Sequence, residues 1–261
     1  MHQPRKRFGQ NFLHDPDTIR RILAAIRPCP GERLVEIGPG QGAITQGLLE
    51  QAGALDTIEL DRDLIEPLRQ RLGGLGELRI HNTDALRFDL CGLTPAPASL
   101  RLIGNLPYNI STPLLFRFLD QADCILDMHL MLQREVVERI AADPGTKDYG
   151  RLSVMVQTWC EAECLFRIGP GAFTPPPKVE SAFLRLRPRR PLPNPPTDRA
   201  GHARLVAAAF SQRRKTLRNS LAGLADVETF ATAGIDPKLR AENLHVEDFI
   251  RLANTVADHS I

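Results

Sequence analysis

A glycine loop and three acids in the first third of the chain are the earliest residues whose types and spacing could do chemistry. Val35-Glu36-Ile37-Gly38-Pro39-Gly40-Gln41-Gly42 separates an apolar, β-rich run from an amphipathic one. Glycines in that position let the backbone turn sharply and approach a ligand closely. Glu59 ends the next apolar run, about where a nucleotide-binding fold carries an acid for ribose hydroxyls. A carboxylate suits that task because it accepts two hydrogen bonds at once. Asp84 follows the third run, in His81-Asn82-Thr83-Asp84-Ala85. It could accept a hydrogen bond from the adenine amine of a cofactor, with Ala85 beside it. Each feature also has a structural reading. The loop and Glu59 could form a tight turn with an exposed acid, and Asp84 could cap a helix. The third glycine comes one residue early for G-x-G-x-x-G, which argues against a nicotinamide cofactor.

A second constellation, Asn105-Leu106-Pro107-Tyr108, follows a fourth apolar run. These residue types suit an amine whose lone pair is delocalised into an aromatic ring and which is therefore a poor nucleophile. The Asn105 side-chain oxygen and the Leu106 carbonyl can accept its two N–H bonds and hold the nitrogen in place. Pro107 stiffens the turn and fixes where that carbonyl points. Tyr108 offers a ring on which an extruded base can stack. No strong general base is needed for such a nitrogen to act as a nucleophile, because forming a bond to carbon makes it acidic and water can take its proton. Orientation and proximity then carry most of the rate. The structural alternative is a turn with a buried tyrosine.

The elements that must hold these residues alternate. Strands are expected over Leu34–Ile37, Leu55–Leu60, Leu78–Ile80, Leu100–Gly104 and Met128–Leu132, with helices over Gly42–Ala52, Leu64–Leu72 and Glu135–Ala142. Such alternation implies a parallel sheet covered on both faces, a Rossmann-like α/β fold. Ala182–Leu186 alternates with period two and closes the region as a strand. Asp61 and Asp63 suit a helix start. Pro188–Pro196 is too proline-rich to continue a helix or pair as an inner strand. Beyond it, Ala200–Phe210, Thr216–Leu224 and Val246–Ala257 look helical, with no strand among them. The expected organisation is an α/β domain over 1–187, a linker over 188–198 and a small α-helical domain over 199–261.

Composition sets bounds. The chain has 261 residues, 43% hydrophobic and 25% charged, and a net charge of +2. It reads as soluble and globular, and any affinity for nucleic acid must come from clustering. Basic residues do cluster, at Arg5-Lys6-Arg7, at Arg185, Arg187, Arg189 and Arg190, and at Arg213-Arg214-Lys215 with Arg218. On one face they would track phosphates; apart, they are solvated charges. Cys29, Cys91, Cys124, Cys160 and Cys164 are odd in number and widely spaced, which predicts reduced thiols in a cytoplasm. The N-terminus is basic without an apolar core, no run is long enough to span a bilayer, and neither the histidines nor the cysteines show metal spacing.

The motifs resemble those of known families. E-x-G-x-G-x-G is similar to the S-adenosylmethionine (SAM) loop of class I methyltransferases. Asn105-Leu106-Pro107-Tyr108 resembles the (D/N/S)-P-P-(Y/F/W) motif of amino-methyltransferases, with leucine in second place. Nearly the whole chain resembles the ribosomal RNA adenine N6-dimethyltransferases. Gln10-Asn11-Phe12-Leu13 is similar to that family's segment over the cofactor, which implies that Asn11 and Leu13 contact SAM. The resemblance implies that Gly38, Gly40, Glu59, Asp84 and Asn105 also bind it. Phe173-Thr174-Pro175-Pro176-Pro177-Lys178-Val179 resembles a second aromatic loop, implying that Phe173 and Tyr108 sandwich the target base near Lys178. Ala209–Leu217 resembles the start of an RNA-binding domain. The bacterial branch of the family dimethylates two adjacent adenosines in a 3′-terminal hairpin of 16S rRNA, within the immature 30S subunit. A monomer without metal or membrane is expected. Two alternatives stay open. One is a 23S rRNA adenine methyltransferase of the macrolide-resistance type; the other is a non-catalytic ribosome-assembly factor on the same fold.

Overall fold

The structure is a computed structural model that describes residues 10–259. Its strands are β1 (Phe12–Leu13), β2 (Arg33–Ile37), β3 (Ala54–Ile58), β4 (Glu77–His81), β5 (Leu100–Asn105), β6 (Ile125–Gln133), β7 (Cys160–Ile168), β8 (Phe173–Thr174) and β9 (Ser181–Pro188). Its helices are α1 (Pro16–Ile26), α2 (Thr45–Ala52), α3 (Arg62–Leu72), α4 (Ser111–Asp120), α5 (Arg134–Ile140), α6 (Arg151–Gln157), α7 (Arg199–Ala209), α8 (Leu217–Ser220), α9 (Val227–Thr232) and α10 (Val246–Asp258). Seven strands form one sheet in the order β4-β3-β2-β5-β6-β9-β7, and β1 pairs with β8 separately. From β4 to β6 the neighbours are parallel, whereas β9 runs antiparallel to β6. The expected α/β sheet is therefore present.

Parallel neighbours bring the carboxyl ends of β2, β3, β4 and β5 to one rim, where ligands bind in open sheets of this kind. The order reverses at β2, so the glycine loop leaves the sheet at its switch point. Leu34, Val35, Leu55, Leu102 and Ile103 are buried, as expected of strands covered on both faces. α1 begins as its sequence dictates: Asp15 accepts the Thr18 N–H at 2.8 Å, and Pro16 occupies the first turn. Asp61 caps α3 in the same way through the Asp63 N–H, at 3.3 Å.

The chain divides into two compact units. One comprises Met1–Val137 and Glu163–Pro188, the other Glu138–Ala162 and Arg189–Ile261. This differs from the linear partition at 187, because a mid-chain segment groups with the C-terminal helices. In the second unit Tyr149, 1% exposed, donates its hydroxyl to the Leu244 carbonyl at 2.9 Å and sets its ring edge-on to Phe210. The end of the proline-rich stretch is also held. Asn254 accepts the Thr197 N–H at 2.9 Å and donates to the Pro195 carbonyl at 3.1 Å.

Other expectations need correction. The helix after the glycine loop starts at Thr45 rather than Gly42, whose φ of +78° is left-handed. A Cβ at Gly42 would lie 2.6 Å from Leu68 on α3, so this glycine permits close helix packing. The helix expected from Thr216 to Leu224 shortens to Leu217–Ser220, and Arg213 and Arg214 sit on a turn before it. Cys160 and Cys164 lie on a strand. The five thiols are not all free: Cys91 and Cys124 form a disulfide across a Cα separation of 5.4 Å. Their turns meet through Gln121, whose side chain accepts the Leu90 N–H at 2.7 Å. Sequence spacing carries no sign of that approach.

Candidate functional site

A cavity of about 360 Å³ opens at the carboxyl rim of the sheet, a size suited to a small-molecule ligand. Its lining brings together Asn11, Leu13, Gly38, Gly40, Glu59, Asp84, Ala85, Asn105, Leu106, Pro107 and Tyr108. Gln10, Phe12, Glu36 and Ile110 join them; the first three stand within the motifs read from the sequence, but none had been given a ligand contact of its own.

The floor is the glycine loop. Gly38 and Gly40 adopt φ of +66° and +56°, which residues with a Cβ rarely do. A Cβ on Gly40 would lie 3.1 Å from the Phe12 ring. The bare glycine thus makes room for the strap of residues 10–14. That strap is fixed by β1–β8 pairing and by the His14 N–H, which donates to the Ala172 carbonyl at 2.9 Å.

Three carboxylates serve the cavity. Glu59, 6% exposed, accepts the Asp61 N–H on one oxygen at 2.8 Å and the Gly40 N–H on the other at 3.3 Å. A carboxylate has about four acceptor sites, so capacity remains for a ligand hydroxyl. Burial pushes its carboxyl above the usual range. Asp84 accepts the Leu86 N–H through Oδ1 at 3.0 Å. Glu36 accepts the Thr45 hydroxyl at 2.6 Å, and burial, with the Glu59 charge adding, pushes it up to about 7. Its signal was a charged residue inside an apolar parallel strand, where burial on both faces makes charge costly.

At the opposite wall the Asn105 Nδ2 donates to the Asn11 carbonyl at 3.1 Å. A carbonyl can only accept, so this bond fixes the amide's orientation. The Asn105 oxygen is the atom of that amide left to accept. The Leu106 N–H bonds the Met131 carbonyl at 3.1 Å, and the Leu106 side chain is buried. Tyr108 is half-buried, and its hydroxyl lies 2.6 Å from the Ser181 Oγ. Burial raises its pKa, so the hydroxyl stays neutral.

Phe173 is not brought to this cavity. It pairs with Leu13 in the β1–β8 ladder, and its ring, 2% exposed, packs in the core with Leu13, Ile168 and Phe183. In this structure the core claims the ring. Lys178 is exposed on the first unit. In the second unit Arg213, Arg214, Lys215 and Arg218 are exposed, but Arg213 pairs with Glu242 at 3.4 Å and donates to the Lys147 carbonyl. Arg185 is likewise engaged, by Glu163. Arg5, Lys6 and Arg7 lie outside the described residues.

The sheet order, the glycine loop at the switch point and the amide-lined wall define a class I methyltransferase. Comparison with known proteins narrows this. The sequence pattern of the family described as ribosomal RNA adenine dimethylase matches residues 1–258. A protein of Pseudomonas fluorescens named ribosomal RNA small subunit methyltransferase A is 55% identical, over 98% of this chain and 95% of its own. One of the same name from Pseudomonas aeruginosa is 55% identical, over 98% and 96%. Among solved structures, a dimethyladenosine transferase from Plasmodium falciparum aligns with a TM-score of 0.80 at 26% identity, covering 92% of this chain and 95% of its own. The 23S rRNA methyltransferase ErmE aligns at 0.73 and 27%, covering 95% and 100%. The chain belongs to the ribosomal RNA adenine dimethylase family and is an enzyme.

Proposed function

We propose that the protein transfers methyl groups from SAM to the N6 amines of two adjacent adenosines in the 3′-terminal hairpin of 16S rRNA, two methyls to each. The observation that carries this reading is the Asn105 amide. Its nitrogen is committed to the Asn11 carbonyl, so its oxygen is the group that can accept an N–H from a substrate amine. Such an oxygen at the rim of a nucleotide-type cavity suits methylation of a base better than of a hydroxyl or a carbon.

The residues present fit the cofactor. The loop lacks side chains where a ligand must approach, and Glu59 has acceptor capacity for ribose hydroxyls. Asp84 has an oxygen for an adenine amine, and the ionised form of Glu36 would favour a cationic ligand. When bound, SAM supplies an electrophilic methyl on a positively charged sulfur. The chain's own part is to orient. Asn105 and the Leu106 carbonyl hold the amine nitrogen toward that methyl, Pro107 fixes the carbonyl, and the Tyr108 ring receives the extruded base. Stacking on one ring offsets roughly 1–3 kcal/mol of the extrusion cost. The strap of residues 10–14 excludes water from the reacting atoms. The product proton leaves to water.

The expected substrate form is the immature 30S subunit, met in the cytoplasm by a monomer. Lys178, Arg214, Lys215 and Arg218 are the proposed phosphate contacts, with Arg5, Lys6 and Arg7 beyond the described residues and Arg213 already paired. Among the described residues no helix is long and apolar enough to cross a membrane. The test is transfer of labelled methyl from SAM to immature 30S subunits and, separately, to 23S rRNA, followed by mapping of the modified base. Label on adjacent 16S adenosines is expected. Label on 23S rRNA alone, or none, would overturn the reading.

A further inference from the structure

We infer that Ser181 is a positioning residue for methyl transfer, holding the Tyr108 ring in the plane on which the target base stacks. This inference rests on the role proposed for Tyr108 above.

Tyr108 sits on the turn after β5, where a ring would ordinarily be free to swing about its χ1 and χ2 bonds. Here the backbone it hangs from and its hydroxyl are each held. Its carbonyl accepts the Ser111 hydroxyl at 3.1 Å, at the start of α4. Its own hydroxyl lies 2.6 Å from the Ser181 Oγ. Ser181 is fully buried and belongs to the sheet rather than to a loop. It opens β9 in register with Gln133, at the end of β6. β6 in turn is in register with β5, Met131 opposite Asn105. Because β9 runs antiparallel to β6, its first residue falls on the rim where β5 delivers Asn105. One rigid ladder therefore fixes both groups the base would meet: the amide through β5 and the aromatic ring through β9.

The placement of Ser181 suits that use. A hydroxyl of this length donates or accepts, so it can meet a neutral phenol in either sense. Burial keeps the phenol protonated, and the bond persists across the working pH range. An alanine there would leave the phenol without its partner and the ring with one fixed end. A rotated ring still presents apolar surface, so base extrusion would continue, but the amine nitrogen would be misaligned with the methyl. A small misplacement of this kind lowers rate far more than affinity.

The experiment is single-turnover methylation of immature 30S subunits by Ser181→Ala, Tyr108→Phe, their double variant and Tyr108→Leu, with SAM and RNA affinities measured alongside. We expect Ser181→Ala and Tyr108→Phe each to slow the step about three- to twentyfold at saturating RNA, the size of one lost hydrogen bond. Both affinities should stay within about twofold, and the double variant should be no slower than either single one. Tyr108→Phe breaks the same bond without touching the sheet, so it decides the matter even if Ser181→Ala folds poorly. A normal rate in Tyr108→Phe, or losses that multiply in the double variant, would overturn the inference. If Tyr108→Leu is also as fast as the wild type, stacking on this ring fails with it. If the wild type itself does not methylate the particle, the function proposed above fails instead.

Discussion

Replacing Glu36 by glutamine should make the first unit more stable at alkaline pH and flatten its pH dependence. Glu36 is 3% exposed on β2, and burial holds its carboxyl at about 7 rather than 4.5. The folded protein thus keeps a proton that the unfolded chain releases. The contribution is fully present below about pH 4.5 and is lost as pH rises through about 7. A tenfold difference in proton affinity between the two states corresponds to ~1.4 kcal/mol, so the swing approaches about 3 kcal/mol. Glutamine is uncharged at every pH and can still accept the Thr45 hydroxyl through its carbonyl. Hydrogen exchange of β2 amides in Glu36→Gln should therefore show greater protection than the wild type at about pH 8 and equal protection near pH 4.5. The same group bears on ligand binding. If a cationic cofactor requires the ionised carboxylate, about a tenth of the protein is competent at one pH unit below the midpoint. SAM affinity would then rise roughly tenfold between about pH 6 and pH 8. Calorimetry in buffers of different ionisation enthalpy would register the released proton. Equal β2 protection in the two proteins at about pH 8 would refute the reasoning, because it would mean that the buried carboxylate carries no penalty.

Further outcomes follow from single contacts. Asn105→Asp sets a carboxylate against the Asn11 carbonyl and leaves no donor between them; SAM affinity and single-turnover rate should both fall more than tenfold, and a rate near normal would remove the amide from the mechanism. Gly40→Ala forces a Cβ at φ +56° toward the Phe12 ring; SAM affinity measured by calorimetry should drop at least tenfold, and an unchanged value would mean the strap moves freely. His202 is 1% exposed, neither ring nitrogen has a hydrogen-bond partner, and burial lowers its pKa to about 4. Stability of the second unit should therefore fall as pH drops from about 6.5 toward 4. His202→Leu should abolish that slope and add roughly 1–2 kcal/mol near neutrality; urea titrations followed by Trp159 fluorescence would report it. Arg214→Glu with Lys215→Glu should weaken binding to small-subunit RNA and shallow its salt dependence while SAM affinity holds. An unchanged salt slope would place these residues away from phosphate.

The sheet was legible because each of its inner strands is buried on both faces and must be written in apolar residues. Leu34-Val35-Glu36-Ile37 and Leu100-Arg101-Leu102-Ile103 could hardly be anything else. The residues lining the cavity were legible where backbone geometry demands a residue type, as at Gly38 and Gly40, or where a turn follows a strand, as at Asn105-Leu106-Pro107-Tyr108. The rest depended on partners far away in the chain. Phe173 looks in sequence like a loop aromatic, yet it pairs across a short ladder with Leu13 and fills the core. Ser181 is one small polar residue ahead of an alternating strand, and only the register of β9 against β6 brings it to Tyr108. Arg213 belongs to a basic run, but Glu242 arrives through tertiary folding to neutralise it. Strand β7 and the grouping of Glu138–Ala162 with the C-terminal helices went unread for the same reason, whereas helix α1 carries its start signal locally, in Asp15 and Pro16, and was passed over.

That grouping has a consequence for how the protein is made. During synthesis Tyr149 and helix α6, with its buried Val154 and Val156, leave the ribosome before the helices α7 and α10 that pack on α6 exist. Tyr149 must wait for Phe210 and then for Leu244 before its ring and hydroxyl are satisfied. At about 5–20 residues per second the interval lasts several seconds. Over that time a nascent chain carries an adhesive apolar stretch flanked by strands already competent to pair. Truncation at the proline-rich stretch would make the condition permanent, so a chain ending there should precipitate or remain bound to chaperones. The catalytic sheet therefore cannot be lifted out by a single cut, and recombination that exchanges only the C-terminal helices would have to carry the 138–162 segment with them.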